Sequence, residues 1–174
     1  PSGIMRALYH ILLAFAAVVL PAGCSLSFNM SGAVIDYTKV STCEIQYIQN
    51  NAEIVNATLS NMITEKLRDK IQSDTRLKLV QRNGDVIFEG DITGYTVTSQ
   101  GVTAGATSAK DRLTVTLSIR YTNTKVASES FTKTFSEYAE YDRTTSFSSV
   151  ESALLDEIVP LLIEDIFTAS FSNW

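Results

Sequence analysis

Residues 113–122 alternate without interruption between apolar and polar side chains, and this stretch constrains the fold more than any other. The apolar set is Leu113, Val115, Leu117, Ile119 and Tyr121. A strand with this period buries one face and leaves the other in water. Strands of this kind form a sheet that needs a layer of apolar-faced helices on one side only.

Two segments can supply that layer. In residues 54–73 an apolar side chain recurs at every fourth position from Val55 to Ile71, which predicts an amphipathic helix. Residues 149–172 carry a broader apolar face and predict a second helix, kinked at Pro160 because proline removes a backbone donor. Asp165 falls inside the second apolar stripe. It either lies at the stripe's edge with a backbone or serine partner, or is buried beside a lysine.

Three more segments have the length and composition of strands, namely residues 40–48, 86–99 and 131–141, and residues 77–80 are short and apolar. Segment 40–48 places Cys43, Ile45 and Tyr47 on one face. Between residues 77–80 and 86–99, Asn83 and Gly84 predict a hairpin.

Two of these strands contain irregularities. Gly90 and Gly94 predict a bulge or a close backbone approach in 86–99, and Tyr138, out of step with the other aromatics, predicts a bulge in 131–141. We therefore expect one α+β domain over residues 39–174. Its predicted architecture is a two-layer sandwich of two helices on a mostly antiparallel four-stranded sheet.

The N-terminal part resembles a leader. Residues 1–23 are predicted to be a signal peptide, with Pro1 to Ile4 read upstream of a start at Met5. The apolar run that follows is shorter than the roughly 20 residues of a membrane span and fits a signal-peptide core of ~7–15 residues.

That run ends in Pro21-Ala22-Gly23-Cys24, which resembles the lipobox of bacterial lipoproteins except that Pro21 replaces the usual large aliphatic residue. We predict that Cys24 is lipidated and that residues 24–38 tether the domain. The alternative is ordinary secretory cleavage near Ala22, which leaves Cys24 free to pair with Cys43. If Cys24 is lipidated, Cys43 is expected to be a small buried apolar side chain.

The composition excludes several functions. The only histidine is His10, in the predicted leader, so a mature chain lacks the imidazole of Ser-His-Asp or Cys-His catalysis and of ordinary zinc sites. A formal net charge of −5 argues against nucleic-acid binding. The carboxylate pairs Glu89/Asp91 and Glu137/Glu140 remain as candidates for a glycosidase, although we expect them to face solvent. No cofactor or metal is predicted.

The charges are segregated along the chain. Residues 66–82 hold six basic and two acidic side chains, and no Lys or Arg follows Arg143. This basic segment is a candidate phosphate site, and its alternative is a solvated helix face. Lys110 and Arg112 form a second candidate at the end of a predicted loop over 101–111, where the alternative is a charged loop tip. We rank the loop pair first because a loop tip can reach a ligand.

Three segments resemble a known family: Leu67-Arg68-Asp69-Lys70 running into Thr75-Arg76-Leu77-Lys78-Leu79-Val80; Phe88-Glu89-Gly90-Asp91-Ile92-Thr93-Gly94-Tyr95; and the ending 164–174. With the lipobox, they resemble the LptE family of lipopolysaccharide-assembly lipoproteins in its Bacteroidetes form. The resemblance covers essentially all of the predicted mature chain.

The resemblance implies a lipid-anchored protein of the outer membrane that faces the periplasm. It implies that the protein assembles and plugs an LptD-type β-barrel, contacts lipopolysaccharide in transit and has no enzymatic activity. The predicted contact residues are Lys110, Arg112, Arg76, Lys78, Lys66 and Lys70. A generic periplasmic lipoprotein that binds proteins without glycolipid contact is the alternative.

Overall fold

The computed structural model describes residues 35–101 and 109–171, so the predictions on residues 1–34, including Cys24, lie outside them. The strands are β1 (Thr42–Ile45), β2 (Gln49–Asn50), β3 (Lys78–Val80), β4 (Val86–Ser99), β5 (Lys110–Asn123) and β6 (Phe131–Asp142). The helices are α1 (Leu59–Asp74) and α2 (Phe147–Phe171), with a short 3-10 turn at Ala127–Glu129. The sheet order is β3-β1-β4-β5-β6, and β2 also pairs with β4.

Strands β4, β5 and β6 form an antiparallel meander, which we call the meander throughout. The predicted alternation is confirmed, because all five apolar residues of β5 are buried in one core with α1 and α2. The polar residues of β5 lie on the opposite, open face of the sheet. The fold is therefore the expected α+β arrangement, with helices covering one face.

The irregularity predicted in 86–99 is confirmed at both glycines. The register of β4 against β5 shifts between Ile92 and Gly94. A β carbon on Gly90 would lie 2.4 Å from the carbonyl oxygen of Ser118. The bulge predicted at Tyr138 is wrong, because β6 pairs with β5 over its whole length without a shift. Tyr138 is out of step with Phe135 because it faces the open side of the sheet.

The hairpin predicted at Asn83-Gly84 is also wrong. Strand β1 lies between β3 and β4 and pairs with both in parallel. Asn83 does adopt a left-handed turn, with φ of 59°, but the turn carries the chain across the end of β1. Gly84 passes so close that a β carbon there would lie 2.6 Å from the backbone nitrogen of Glu44.

The sheet has six strands rather than the predicted four. Residues 40–48 do not form one strand: β1 ends at Ile45, β2 begins at Gln49, and β3 adds an edge. Because the strand stops early, Tyr47 is 55% exposed instead of buried, and Ile48 takes the buried position. Its backbone N–H donates to the hydroxyl of Thr64 at 3.2 Å.

Both helices form, with shifted ends. Helix α1 begins at Leu59 rather than at 54, because the side-chain oxygen of Asn56 accepts the backbone N–H groups of Thr58 at 2.9 Å and Leu59 at 3.1 Å. Val55 is therefore outside the helix and exposed. Helix α2 begins at Phe147 and runs through Pro160. Asp165 is exposed on it, so burial beside a lysine is wrong.

The core is one cluster shared by the sheet and both helices. At its end, the ring of Phe171 meets those of Phe88, Tyr121 and Phe167 at centroid distances between 5.3 and 6.0 Å. Cys43 is fully buried as predicted, and burial raises the pKa of its thiol to about 12. Neither helix of the described part is long and apolar enough to cross a membrane.

Candidate functional site

A groove of about 670 Å³ opens where the parallel strands β1 and β3 end. Strands that run in parallel bring their carboxyl ends, and the residues that follow, to the same edge of a sheet. Ile45, Leu79 and Val80 give the groove apolar lining. Arg68 reaches it from α1, and Arg82 follows β3. We call this site the basic groove.

The two guanidinium groups of the basic groove differ in how they are held. Arg68 forms an ion pair with Glu65 at 2.5 Å and a long hydrogen bond, 3.4 Å, to the carbonyl oxygen of Ile45. Its charge is therefore fixed above the end of β1. Arg82 is exposed and forms no ion pair with any residue of 35–101 or 109–171. It is free to meet an anion.

Glu44 is the single carboxylate among the residues that line the groove. It is buried, and one of its oxygens accepts the backbone N–H of Gly84 at 3.3 Å. The other accepts the side-chain amide of Gln46 at 3.4 Å. Glu44 is thus occupied with the loop that crosses β1. Because Glu65 pairs with Arg68, Arg82 is the lining cation that has no ion pair with a described residue. Guanidinium groups bind phosphates and carboxylates with paired hydrogen bonds, so the groove suits an anion that also carries apolar parts.

The predicted contact residues of the basic segment lie outside the groove. Lys70 bridges the two helices, with its ammonium 2.7 Å from Asp74 and 2.6 Å from Glu164. It also lies 4.8 Å from the centre of the Phe167 ring. Lys70 is therefore occupied in holding α1 against α2.

The other three are on the surface. The guanidinium of Arg76 lies 5.8 Å from the centre of the Tyr37 ring. Lys66 and Lys78 are exposed and, among the residues that the structure describes, have no ion pair. The structure thus brings together Arg68 and Arg82, two members of the predicted basic segment. The four residues named there as contacts lie elsewhere.

Lys110 and Arg112 are not in a loop, as was predicted, but in β5. Two nitrogens of Arg112 lie 2.6 and 3.2 Å from one oxygen of Glu140, and its guanidinium stacks 3.9 Å from the centre of the Tyr138 ring. This pairing holds the pKa of the Glu140 carboxyl below its usual value. Lys110 lies 3.9 Å from the same carboxylate. Both cations have partners within the sheet.

The carboxylate pairs considered for an enzyme are not arranged alike. Glu89 and Asp91 border a shallow depression of about 180 Å³ on the open face of the sheet. Glu137 and Glu140 point to opposite faces, because they are three residues apart on a regular strand. No group of side chains in the described ranges is arranged to hold a metal ion.

The basic groove was not predicted from the sequence, because the predicted hairpin pairs β3 with β4 rather than with β1. With β3 and β4 paired to each other, Arg82 lies in a tight turn far from Arg68. Parallel pairing of β1 with β3 sets both arginines at one edge. The signal that was available is the βαβ order of a strand at 40–48, a helix and a strand at 77–80.

Comparison with known proteins gives one family. The family model "LptE: Lipopolysaccharide-assembly" matches residues 40–170. No curated protein matches the sequence.

Among solved structures, the chain is similar to the hypothetical protein CT253 from Chlamydia trachomatis, with a TM-score of 0.54, 6% identity and coverage of 77% of this chain and 99% of that one. This likeness shows a shared fold. A minor lipoprotein from Acinetobacter baumannii matches with a TM-score of 0.44 and 15% identity over 70% of this chain and 90% of its own. The rare lipoprotein B from Shewanella oneidensis matches with a TM-score of 0.41 and 13% identity over 74% and 90%.

Proposed function

Since the chain belongs to the LptE lipopolysaccharide-assembly family, we propose that it is the lipoprotein partner of an LptD-type β-barrel. In this role it assembles and plugs the barrel while lipopolysaccharide passes to the outer membrane. Membership by itself assigns a general role in lipopolysaccharide assembly. The barrel, the outer-membrane location and direct contact with the glycolipid are the proposal.

We propose that the anchor is Cys24, joined to the domain by the tether. Two or three acyl chains hold a protein stably on a membrane, whereas one holds it weakly. Ser25 follows the cysteine and no acidic residue occurs before Asp36, which in lipoproteins generally favours the periplasmic side of the outer membrane. A fatty-acid probe should label the chain, and Cys24→Ala should abolish the label. Label that persists in the variant contradicts the proposal.

The basic groove carries the proposal of glycolipid contact. Lipid A combines phosphate groups with acyl chains, and the groove sets Arg68 and Arg82 beside the apolar side chains of Leu79 and Val80. A charge-assisted hydrogen bond contributes about 1.5–3 kcal/mol at best, and less where solvent screens it. We therefore propose that the two guanidinium groups act together on one phosphate group of lipid A, although the chain is acidic elsewhere.

The test is binding of purified lipopolysaccharide to the double variant Arg68→Ala/Arg82→Ala. We expect the Kd to rise about tenfold or more, since a factor of ten corresponds to about 1.4 kcal/mol, and parent binding to weaken with added salt. The matched control, Lys66→Ala/Lys78→Ala, removes the same charge from the same segment outside the groove. Lys110→Ala/Arg112→Ala tests the strand pair that was ranked first.

Each outcome has a distinct meaning. Equal weakening in all three double variants indicates attraction by net charge rather than a site. If none weakens binding while circular dichroism stays native, direct contact fails and the alternative of a protein-binding lipoprotein remains. Co-purification from outer membranes with mass spectrometry then decides the partner, and the repeated absence of a large β-barrel contradicts the LptD proposal.

A further inference from the structure

The open face of the meander carries a lattice of hydroxyl groups. The two ladders set the side chains of this face in rows of three, one from each strand. In order along the face, the rows are Glu89, Arg120 and Thr132; Asp91, Ser118 and Thr134; Gly94, Thr116 and Ser136; and Thr96, Thr114 and Tyr138. Because neighbouring rows are two residues apart along β5, the four rows extend over about 20 Å. We call these rows the hydroxyl face.

Most of these hydroxyl groups have no partner within the described part of the protein. The hydroxyl oxygens of Thr116 and Ser136 lie 3.0 Å apart and share a hydrogen bond. The other five serine and threonine hydroxyls of the face form none with residues 35–101 or 109–171, namely those of Thr96, Thr114, Ser118, Thr132 and Thr134. Each hydroxyl can donate one hydrogen bond and accept two. The face is therefore able to bond a ligand that is itself rich in hydroxyl groups.

The charged side chains of the hydroxyl face lie toward one end. Arg120 is 3.8 Å from Glu89 in the first row. Asp91, in the second row, accepts the side-chain amide of Asn51 at 2.9 Å. The two rows centred on Thr116 and Thr114 contain no charged side chain. Phosphates are attracted by clustered cations, so this part of the face suits an uncharged ligand instead.

Tyr138 adds an aromatic surface at the uncharged end. The guanidinium of Arg112 covers one side of its ring, 3.9 Å from the centre, and is itself paired with Glu140. Tyr138 is nevertheless 48% exposed. A tyrosine combines a rigid apolar surface with a polar tip. A sugar ring has the same combination, since its C–H groups form an apolar side and its hydroxyls project from the rim.

We propose that the hydroxyl face binds an uncharged stretch of the sugar chain of the glycolipid. One sugar ring stacks on Tyr138, and the hydroxyls of its neighbours bond Thr114 and Thr134 directly or through water. This inference deepens the proposed function and rests on it for the source of the sugar. A polar face turned toward a barrel lumen is compatible with a plug. The phosphates are left to the basic groove, which β4 separates from β5 and β6.

A threonine-rich face can also be covered by water alone, and a sugar probe separates the two cases. The probe is the polysaccharide that mild acid hydrolysis releases from purified lipopolysaccharide, which leaves lipid A behind. Amide chemical shifts of the full chain, in a detergent without a sugar headgroup, report binding. We expect the changes to concentrate in residues 114–118 and 132–138. A parent chain without changes at the highest soluble concentration of the probe overturns the proposal.

A pair of substitutions tests the hydroxyl groups. Thr114→Val/Thr134→Val removes two hydroxyls and keeps the branched shape that suits a strand. We expect the Kd for the polysaccharide to rise about fivefold or more, since two hydrogen bonds are lost. Ser128→Ala/Ser152→Ala removes two exposed hydroxyls elsewhere and should leave the Kd unchanged. Equal weakening in both double variants, with native circular dichroism, overturns the proposal.

The aromatic ring is tested separately. Tyr138→Ala should raise the Kd for the polysaccharide about tenfold, because the stacking surface is lost. Tyr138→Phe keeps the ring and should bind within about twofold of the parent. If both variants lose binding equally while circular dichroism stays native, stacking on the ring is ruled out.

Purified lipid A distinguishes this inference from the proposed function. Tyr138→Ala should leave the Kd for lipid A unchanged, and Arg68→Ala/Arg82→Ala should leave the Kd for the polysaccharide unchanged. If lipid A binds at the groove and the polysaccharide does not bind, the hydroxyl face fails and the proposed function stands. If the polysaccharide binds and lipid A does not, phosphate contact fails and the hydroxyl face stands. Loss of polysaccharide binding in the groove variant, or equal affinity for dextran, overturns the assignment of the glycolipid's sugar to this face.

Discussion

The meander and the region around β1 are built on different principles. We call the second region the parallel corner: β1, β3, the crossing loop 81–85 and the first residues of β4. Strands of the meander have 12–14 residues and pair with their neighbours in sequence. Strands of the parallel corner have three or four residues, and Thr42 finds its partner at Lys78.

Because its ladders are short, the parallel corner relies on side chains that bind backbone. One carboxylate oxygen of Asp85 accepts the N–H groups of Ser41 at 2.9 Å and Thr42 at 3.0 Å. The other oxygen lies 3.1 Å from the ammonium of Lys125. The contrast indicates that long ladders hold the meander together, whereas a few specific contacts hold the parallel corner.

The two regions also differ in whether their basic side chains form ion pairs. On the meander, arginines 112, 120 and 143 each have a carboxylate within 4 Å. In the parallel corner, Arg82 and Lys78 have no ion pair within the described ranges. Of these two cations, Arg82 lines the basic groove and Lys78 does not, so Arg82 is the one expected to meet an anion.

The largest loss of stability should come from placing a side chain in the space between Gly84 and β1. A β carbon on Gly84 would lie 2.6 to 2.8 Å from atoms of Glu44 and Val86, two of them backbone. We expect Gly84→Ala to lower the free energy of unfolding by about 3 kcal/mol. In the meander, a β carbon on Gly94 would come closest to the side chain of Thr116, at 3.0 and 3.1 Å, and Gly94→Ala should lower the free energy of unfolding by about 1 kcal/mol. Urea denaturation measures both, and equal losses would mean that the crossing loop yields easily.

The next largest loss of stability concerns a contact between the meander and the helical layer. The hydroxyl of buried Tyr95 in β4 donates to Glu151 of α2 at 2.5 Å, and Asn56 donates to the same oxygen at 2.7 Å. Tyr95→Phe should lower the free energy of unfolding by about 1.5–3 kcal/mol, as expected for a hydrogen bond to a charged group. Tyr138→Phe removes a hydroxyl from the open face and is the control. A Tyr95 variant as stable as this control contradicts the expectation.

Acid should weaken the parallel corner through Asp85. Its bonds to the Ser41 backbone, Lys125 and Thr42 hold the pKa of the carboxyl well below the ordinary 3.8. A lowered pKa contributes stability that is fully present above the unfolded value and is lost as pH falls through the folded one. The stability difference between the parent and Asp85→Asn should therefore be constant near neutral pH and shrink below about pH 4. Thermal unfolding across this range checks it, and a difference independent of pH removes the assigned role.

The smallest changes in stability are expected for single arginine substitutions, and they distinguish an arginine that supports the fold from one that binds a ligand. Arg112→Ala breaks a partly exposed ion pair and should lower stability by about 0.5–1 kcal/mol. Arg82→Ala should change it by less than about 0.5 kcal/mol. For lipopolysaccharide binding the order reverses, with Arg82→Ala the more harmful change. The same ranking in both assays would show that the two cations have one role.

Local sequence patterns were sufficient to predict much of the secondary structure of this protein. Three features depend only on residues close together in the chain. The alternation from Leu113 to Tyr121 predicts a strand, the apolar stripe from Leu59 to Ile71 predicts a helix, and the glycines of β4 predict a bulge. The meander needs only short connections between strands that are consecutive in the chain, and its pairing was therefore predictable. The family resemblance rested on the same segments.

The strand pairing in the parallel corner is determined by the tertiary structure and could not be predicted from local sequence. A strand of three or four residues is too short for its pattern of side chains to show which strand it pairs with. The turn at Asn83-Gly84 is compatible both with a hairpin and with a loop that crosses the end of another strand. Packing of α1 on the sheet brings β3 to the outer side of β1, 36 residues away in register. That choice, absent from any local pattern, sets Arg68 and Arg82 at one groove. It also leaves Lys110 and Arg112, predicted as a free loop pair, fixed in β5 beside Glu140.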